Sequence, residues 1–261
     1  MTFLPAETSH FIYLLINRDI MKVSDIVLNK INRFKAGYVF TYDDFDVPVK
    51  NLSALKMALT RLVNAGKIDR LSKGQYYKPE ITEFGALRPP EYQVVKDLLE
   101  DNSRIIGYLT GVSIYNKLGL TTQVSNTILI GTNLERKPKK RGKYSIRFIR
   151  QRNNITKDNI YLLQILDSIR FIKRIPDSDT AKSCLRLISL IEPLDESDRN
   201  SIAKYALKYN PGTRALTGAI LDHVSDLEIT QSLFISLKPA TVFEFMIPDK
   251  LLPQKLKWRI K

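Results

Sequence analysis

Between Gly37 and Pro79 the chain reads GYVFTYDDFDVPVKNLSALKMALTRLVNAGKIDRLSKGQYYKP. Few folds accept that order of apolar steps and chain breakers. From Ser53 to Ala65 the apolar residues Leu55, Ala58, Leu59, Leu62 and Val63 recur at three- and four-residue steps, which places them on one face of a helix. The other face carries Ser53, Lys56, Thr60, Arg61 and Asn64. Asn51 or Ser53 can cap its start, and Gly66 stands where a left-handed residue ends a helix. Upstream, Thr41 caps a short helix holding Phe45, with Asp43 and Asp44 near its positive end and Pro48 stopping it. Downstream, Ile68 and Leu71 alternate with Asp69 and Arg70, Lys73-Gly74 supplies a turn, and Gln75-Tyr76-Tyr77-Lys78 returns as a strand. A helix patterned from Lys22-Val23-Ser24-Asp25-Ile26, with Ile20, Val23, Ile26, Val27, Ile31 and Phe34 inward, precedes the whole arrangement.

Short helix, turn, amphipathic helix and tight basic hairpin is the order of a winged helix-turn-helix, which lays one helix in the major groove of DNA and a wing on the adjoining backbone. On that expectation Ser53, Lys56, Thr60 and Arg61 reach base edges or phosphates, while Lys67, Arg70, Lys73 and Tyr76 hold the wing to the backbone. Arg61 is the candidate guanine contact, because its planar fork can bond O6 and N7 together. The same order also occurs in protein-interaction domains, and basic residues on a helix face are often simply solvated. With Lys78 included, the exposed face and wing lean basic, and Asp69 is the acid among them.

The formal charge of +14 over 261 residues favours a polyanionic partner. It divides as +4 over residues 1–80, +7 over 81–152 and +3 over 153–261. An acidic protein or an RNA would answer the same field, so a protein- or RNA-interaction module that keeps the N-terminal helices and hairpin but counters no partner is the alternative. The single cysteine, Cys184, cannot close an internal disulfide, which fits a reducing cytoplasm. It lies on an apolar helix face with Leu187, Ile188 and Ile191 and reads as a core residue. Phe11 to Ile16 is too short for a membrane span, so no membrane partner is expected. One Cys with His10 and His223 cannot make a closed zinc site, and no phosphate-binding glycine loop is present, so no metal or cofactor is expected. A nuclease would need a carboxylate pair and a lysine. Pro248-Asp249-Lys250 is only an echo of that, and Asp177 and Asp179 are better explained as caps, so no catalytic residue is assigned.

The expected fold class is α+β, with an N-terminal winged helix-turn-helix over 21–80, a small α/β unit over 91–152 and a mainly helical part over 153–261. Residues 1–20 read as an extension, or as the product of a start codon upstream of Met21. Gly85, Pro89 and Pro90 mark residues 80–91 as a linker. Beyond it, Glu91 to Glu100 is expected helical, as is a segment through Leu109, Val112, Ile114, Tyr115 and Leu118 that Gly119 ends. Thr127 to Ile130 and Tyr144 to Ile149 read as strands joined through a basic hairpin, RKPKKRGK, with six basic residues in eight: Arg136, Lys137, Lys139, Lys140, Arg141 and Lys143. Those residues either blunt an exposed edge or contact phosphate on DNA or RNA. Helices are expected over 160–175, 180–191, 197–209 and 213–224, with Asp158 and Asp195 as caps and small residues in PGTRALTGA permitting close packing. The tail turns apolar at Phe243, Phe245, Met246 and Ile247, then basic from Lys255 to Lys261 around Trp258.

Four segments in this order, TRLVNAGKIDRLSKGQYYKP, GVSIYNKLGLTTQVSN, the strand–basic loop–strand and PGTRALTGAILD, resemble AbiEi-type antitoxins of type IV toxin–antitoxin systems, in the branch with a winged-helix N-terminus. The resemblance spans residues 22–225, and LGLTTQV is its most specific part. It implies a bacterial transcriptional autorepressor that binds inverted repeats in its own promoter as double-stranded DNA. It also implies that 81–261 is one antitoxin domain, countering a nucleotidyltransferase-like toxin. The extension over 1–20 and the apolar tail depart from the family pattern.

Overall fold

The computed structural model describes residues 23–102, 104–225, 228 and 230–261. The expected extension over 1–20, with His10 and Ile20, lies outside the described residues, as do Met21 and Lys22. The fold is mixed α+β and divides into two compact units, Met1–Val95 and Lys96–Lys261.

In the first unit, helix α1 (Val23–Arg33) buries Val27 and Ile31 and leads to strand β1 (Val39–Phe40). Thr41 then opens a single 3-10 turn, Tyr42–Asp44, with a reciprocal capping box. Its Oγ1 accepts from the Asp43 amide (3.2 Å), and the Asp44 carboxylate accepts from the Thr41 amide (2.8 Å). A second 3-10 turn, Val49–Asn51, runs straight into α2 (Leu52–Asn64), so neither Asn51 nor Ser53 is needed as a side-chain cap. Strands β2 (Asp69–Ser72) and β3 (Gln75–Tyr77) form an antiparallel hairpin that turns at Gly74 (φ 76°), and β1 joins it in the order β1-β3-β2. Phe40, Phe45, Leu55, Leu59 and Ile68 share one apolar core, with the rings of Phe40 and Phe45 edge-on at 5.7 Å.

Residues 80–91 are not a plain linker. Strands β4 (Glu80–Thr82) and β5 (Gly85–Leu87) pair there, so the punctuation at Gly85 is a hairpin turn. Helix α3 (Glu91–Leu99) follows, and the boundary between the units falls within it. The first turns of the second unit pair β6 (Glu100–Asp101) with β7 (Arg104–Ile105).

A four-stranded sheet organises the second unit, in the order β10-β11-β9-β8. Strand β8 (Gly107–Thr110) occupies the residues expected to open a helix. All four are buried, and a strand buried on both faces shows no alternation to announce it. Gly111 ends it, and only Val112–Lys117 is helical (α4). Strands β9 (Thr127–Thr132) and β11 (Tyr144–Arg150) are neighbours but parallel, which corrects the expected hairpin between them. The basic segment instead carries β10 (Lys139–Arg141), which folds back antiparallel on β11 as the sheet edge.

Helices α5 (Ile160–Arg170), α6 (Thr180–Ile191), α7 (Glu196–Ala206) and α8 (Pro211–Val224) follow closely on expectation, with α5 continued by a separate 3-10 turn, Ile172–Arg174. Asp179, Asp195 and Asn210 cap α6, α7 and α8 by accepting from the Lys182, Asp198 and Thr213 amides, whereas Asp158 caps nothing. Cys184 is buried, as its helix face requires, and burial pushes its thiol up to about 12. After α9 (Thr230–Ile235) the tail returns. Trp258 and Ile260 are fully buried, and the Trp258 indole N–H donates to Asp222 on α8 at 2.9 Å.

Candidate nucleic-acid interface

The period of α2 decides what the first unit can present. Leu55, Ala58 and Leu59 are buried, while Ser53, Lys56, Thr60 and Arg61 are exposed on the opposite face. The Thr60 hydroxyl donates to the Lys56 carbonyl (2.8 Å) and keeps its lone pairs for a donor from outside. The Lys56 ammonium lies 5.6 Å from the Tyr42 ring centroid, a soft contact that leaves its donors in water. Lys67, Arg70 and Lys73 are exposed before and along the β2–β3 hairpin, where Arg70 Nε donates to the Ser72 carbonyl at 3.4 Å. Asp69 is half-buried and its carboxylate accepts from the Tyr77 hydroxyl (3.1 Å), so it stands as one acid among these cations.

Two residues expected on this face are elsewhere. Tyr76 is a core residue at 4% exposure, its ring stacked at 6.1 Å on Phe40 and its hydroxyl paired with that of Tyr42 (3.3 Å). Burial first, then the Tyr42 hydroxyl, pushes it up to about 12. It has no path to a phosphate. Lys78 donates to the Asn32 and Phe34 carbonyls, both at 3.1 Å, and so satisfies the end of α1.

Along the basic segment, Lys137, Lys139, Lys140 and Lys143 are exposed and Arg136 is half-buried. Arg141 corrects the expectation of a phosphate contact. It is buried, and its guanidinium makes a two-pronged pair with the Asp97 carboxylate at 2.5 and 2.6 Å. Lys139 and Lys140 stand on an edge strand, where charge discourages pairing with a further strand.

The second unit also holds a buried polar cluster that periodicity did not reveal. Asp167 lies in the middle of α5 and is fully buried, accepting from the hydroxyls of Tyr108 (2.7 Å) and Tyr209 (3.0 Å). Gln151 Nε2 donates to both tyrosine oxygens at 2.8 Å, and Gln151 Oε1 accepts from the Asn153 amide at 2.8 Å. Every hydroxyl thus has one assigned direction, and the chain of bonds ends on the carboxylate. Gly131 makes room for it, since a Cβ there would overlap the Tyr108 ring. Burial pushes Asp167 up to about 6 against the downward pull of its tyrosine donors. Above it opens a cleft of about 400 Å³ lined by Gln151, Tyr209 and a ring of cations. The sequence signal was a lone acid within the apolar run LLQILDSI.

No described helix is long and apolar enough to cross a membrane. Among the described residues, no group of three or more His, Cys, Asp or Glu side chains is placed to hold a metal ion.

A family model described as "Family of unknown function (DUF6088)" matches residues 26–189, more than half of the chain. The fold is similar to that in the crystal structure of the RV2827C protein from Mycobacterium tuberculosis. The TM-score is 0.57 and the identity 15%, covering 86% of this chain and 85% of that one. No curated protein matches the sequence.

Proposed function

The chain belongs to the DUF6088 family, and we propose that it is a DNA-binding regulator whose first unit engages duplex DNA as a winged helix-turn-helix. The observation that carries this reading is the sidedness of α2. Its apolar face closes a core, and its outward face offers two cations and two hydroxyls, with the cationic β2–β3 hairpin following it in the chain. A helix so placed reads base edges through a few side chains, and a basic wing adds affinity without sequence choice.

The test is a fluorescence-anisotropy titration of the whole chain against its own upstream DNA, a random duplex of equal length and a structured RNA, at two salt concentrations. Preference for the upstream DNA should survive at the higher salt. Equal binding to all three, lost together as salt rises, would reject a sequence-reading role. Arg61→Ala should cost roughly 1–3 kcal/mol of upstream-DNA affinity and relax one operator position. Lys73→Ala should weaken all duplexes alike and lower the salt slope by about 1.

The autorepressor and antitoxin roles implied by the AbiEi-type resemblance complete the proposal. They rest on the four sequence segments, among them the LGLTTQV loop, which in this fold is pinned where Arg186 Nε donates to the Leu118 carbonyl (2.7 Å). A neighbouring reading frame for a nucleotidyltransferase-like protein, toxic alone and harmless when co-expressed with this chain, is the expected result. Toxicity undiminished by co-expression would leave only the regulator.

A further inference from the structure

Five basic side chains, Arg150, Arg152, Arg170, Lys208 and Arg214, line the cleft above Asp167, and no carboxylate lines it with them. Asp167 lies one layer below, and its two oxygens are already engaged by Tyr108 and Tyr209. Its charge is felt by Arg170, and the other four cations crowd the concavity with no carboxylate lining it. Arg214 shows what is missing. It is half-buried within the opening turns of α8, at the positive end of that helix, where a cation is on the wrong side of the dipole. Its Nε is buried and has no hydrogen-bond partner. A buried guanidinium donor left unpaired is costly, and an oxygen anion in the cleft would satisfy it and offset the mutual repulsion of the five cations. The floor is rigid, because Gln151 and Tyr209 are locked into the hydrogen-bond chain beneath it.

We propose that this cleft binds a di- or triphosphate chain, such as a free nucleotide or pyrophosphate carries. The volume of about 400 Å³ far exceeds a single phosphate and falls within the range of pockets for small organic ligands. Arginine forks match phosphate oxygens two at a time, and four of the five cations are arginines. The ring of charge suits a di- or triphosphate better than a single anion. This inference is independent of the duplex-binding reading, which concerns the first unit.

Isothermal titration of the whole chain with ATP, pyrophosphate and adenosine tests it. ATP and pyrophosphate should bind and adenosine should not. Replacing Arg170 and Arg214 together by Gln should weaken ATP by at least about tenfold, the scale of one lost charge-assisted contact. Arg152→Gln with Lys208→Gln, at two exposed positions, should do the same without touching the half-buried Arg214. Lys139→Gln with Lys140→Gln removes equal charge from edge strand β10, outside the cleft lining, and should change ATP affinity less than about twofold. Absence of ATP and pyrophosphate binding at millimolar concentration would overturn the proposal. So would an equal loss from the edge-strand pair, which would mean diffuse attraction. A short single strand that depends on Arg170 and Arg214 while ATP does not bind would also overturn it, and would assign the cleft to nucleic acid.

Discussion

Gly218→Ala is expected to destabilise the protein by about 2–4 kcal/mol, although the same exchange in an ordinary helix stabilises by about 1 kcal/mol. The reversal comes from Trp258. A methyl group on residue 218 would overlap three atoms of its six-membered ring. The ring cannot step aside, because its N–H is bonded to Asp222 one turn along α8 and Phe234 meets it edge-on at 5.6 Å. Accommodating the methyl means either strain of the overpacking kind or ejection of a buried tryptophan, itself worth about 3–5 kcal/mol. Urea unfolding of the single and double variants separates these contacts from helix propensity. In a Trp258→Ala background, Gly218→Ala should become neutral or stabilising. A wild-type background in which Gly218→Ala is harmless would show that the tail does not dock in this notch.

That contact also marks what the sequence could and could not disclose. The small residues of PGTRALTGA announced a close approach, while the tail, apolar at 243–247 and then basic around Trp258, had no assigned place. Neither named the other, since the pairing of Gly218 with Trp258 spans forty residues and has no local period. By contrast α2 was legible to within a residue at each end, because its five apolar positions share one face and Gly66 punctuates it. Strand β8 was not, because burial on both sides removes the alternation that distinguishes a strand from a helix.

The candidate interface divides the same way. Ser53, Lys56, Thr60 and Arg61 are exposed as their helical positions demanded, since the period that buries Leu55 and Leu59 fixes them outward. Tyr76 and Arg141 stand in strands, where the phase of alternation is set by partners distant in sequence. Each turned inward, Tyr76 to Tyr42 and Arg141 to Asp97. The basic composition of the RKPKKRGK segment was visible, but the ion pair that takes Arg141 out of it was not. Asp167 was overlooked for a related reason. Its two tyrosine donors come from β8 and from the connection between α7 and α8, the glutamine that bonds both hydroxyls follows β11, and only the folded chain assembles them.

Asp167 gives the second large effect. Its ordinary value is 3.8 and burial raises it to about 6, so the folded protein holds this proton more tightly than the unfolded chain does. Well below pH 3.8 the group is protonated in both states and costs nothing. As pH rises the unfolded chain ionises first, so stability falls through the window up to about pH 6 and then levels. At about 1.4 kcal/mol per unit, that window is worth about 3 kcal/mol. Asp167→Asn keeps the shape and removes the titration. Its amide must compete with two tyrosine donors, which adds a cost that does not vary with pH. The informative quantity is therefore the difference between wild type and Asp167→Asn in urea unfolding at pH 4, 5, 6 and 7, in which other carboxylates cancel. Wild type should lose about 2 kcal/mol relative to the variant between pH 4 and 6 and only a few tenths more by pH 7, the remainder of the window lying below pH 4. A flat difference would mean that water or a rearranged partner already solvates the carboxylate. A difference of opposite slope would mean that the two tyrosine donors outweigh burial and hold Asp167 ionised below its ordinary value.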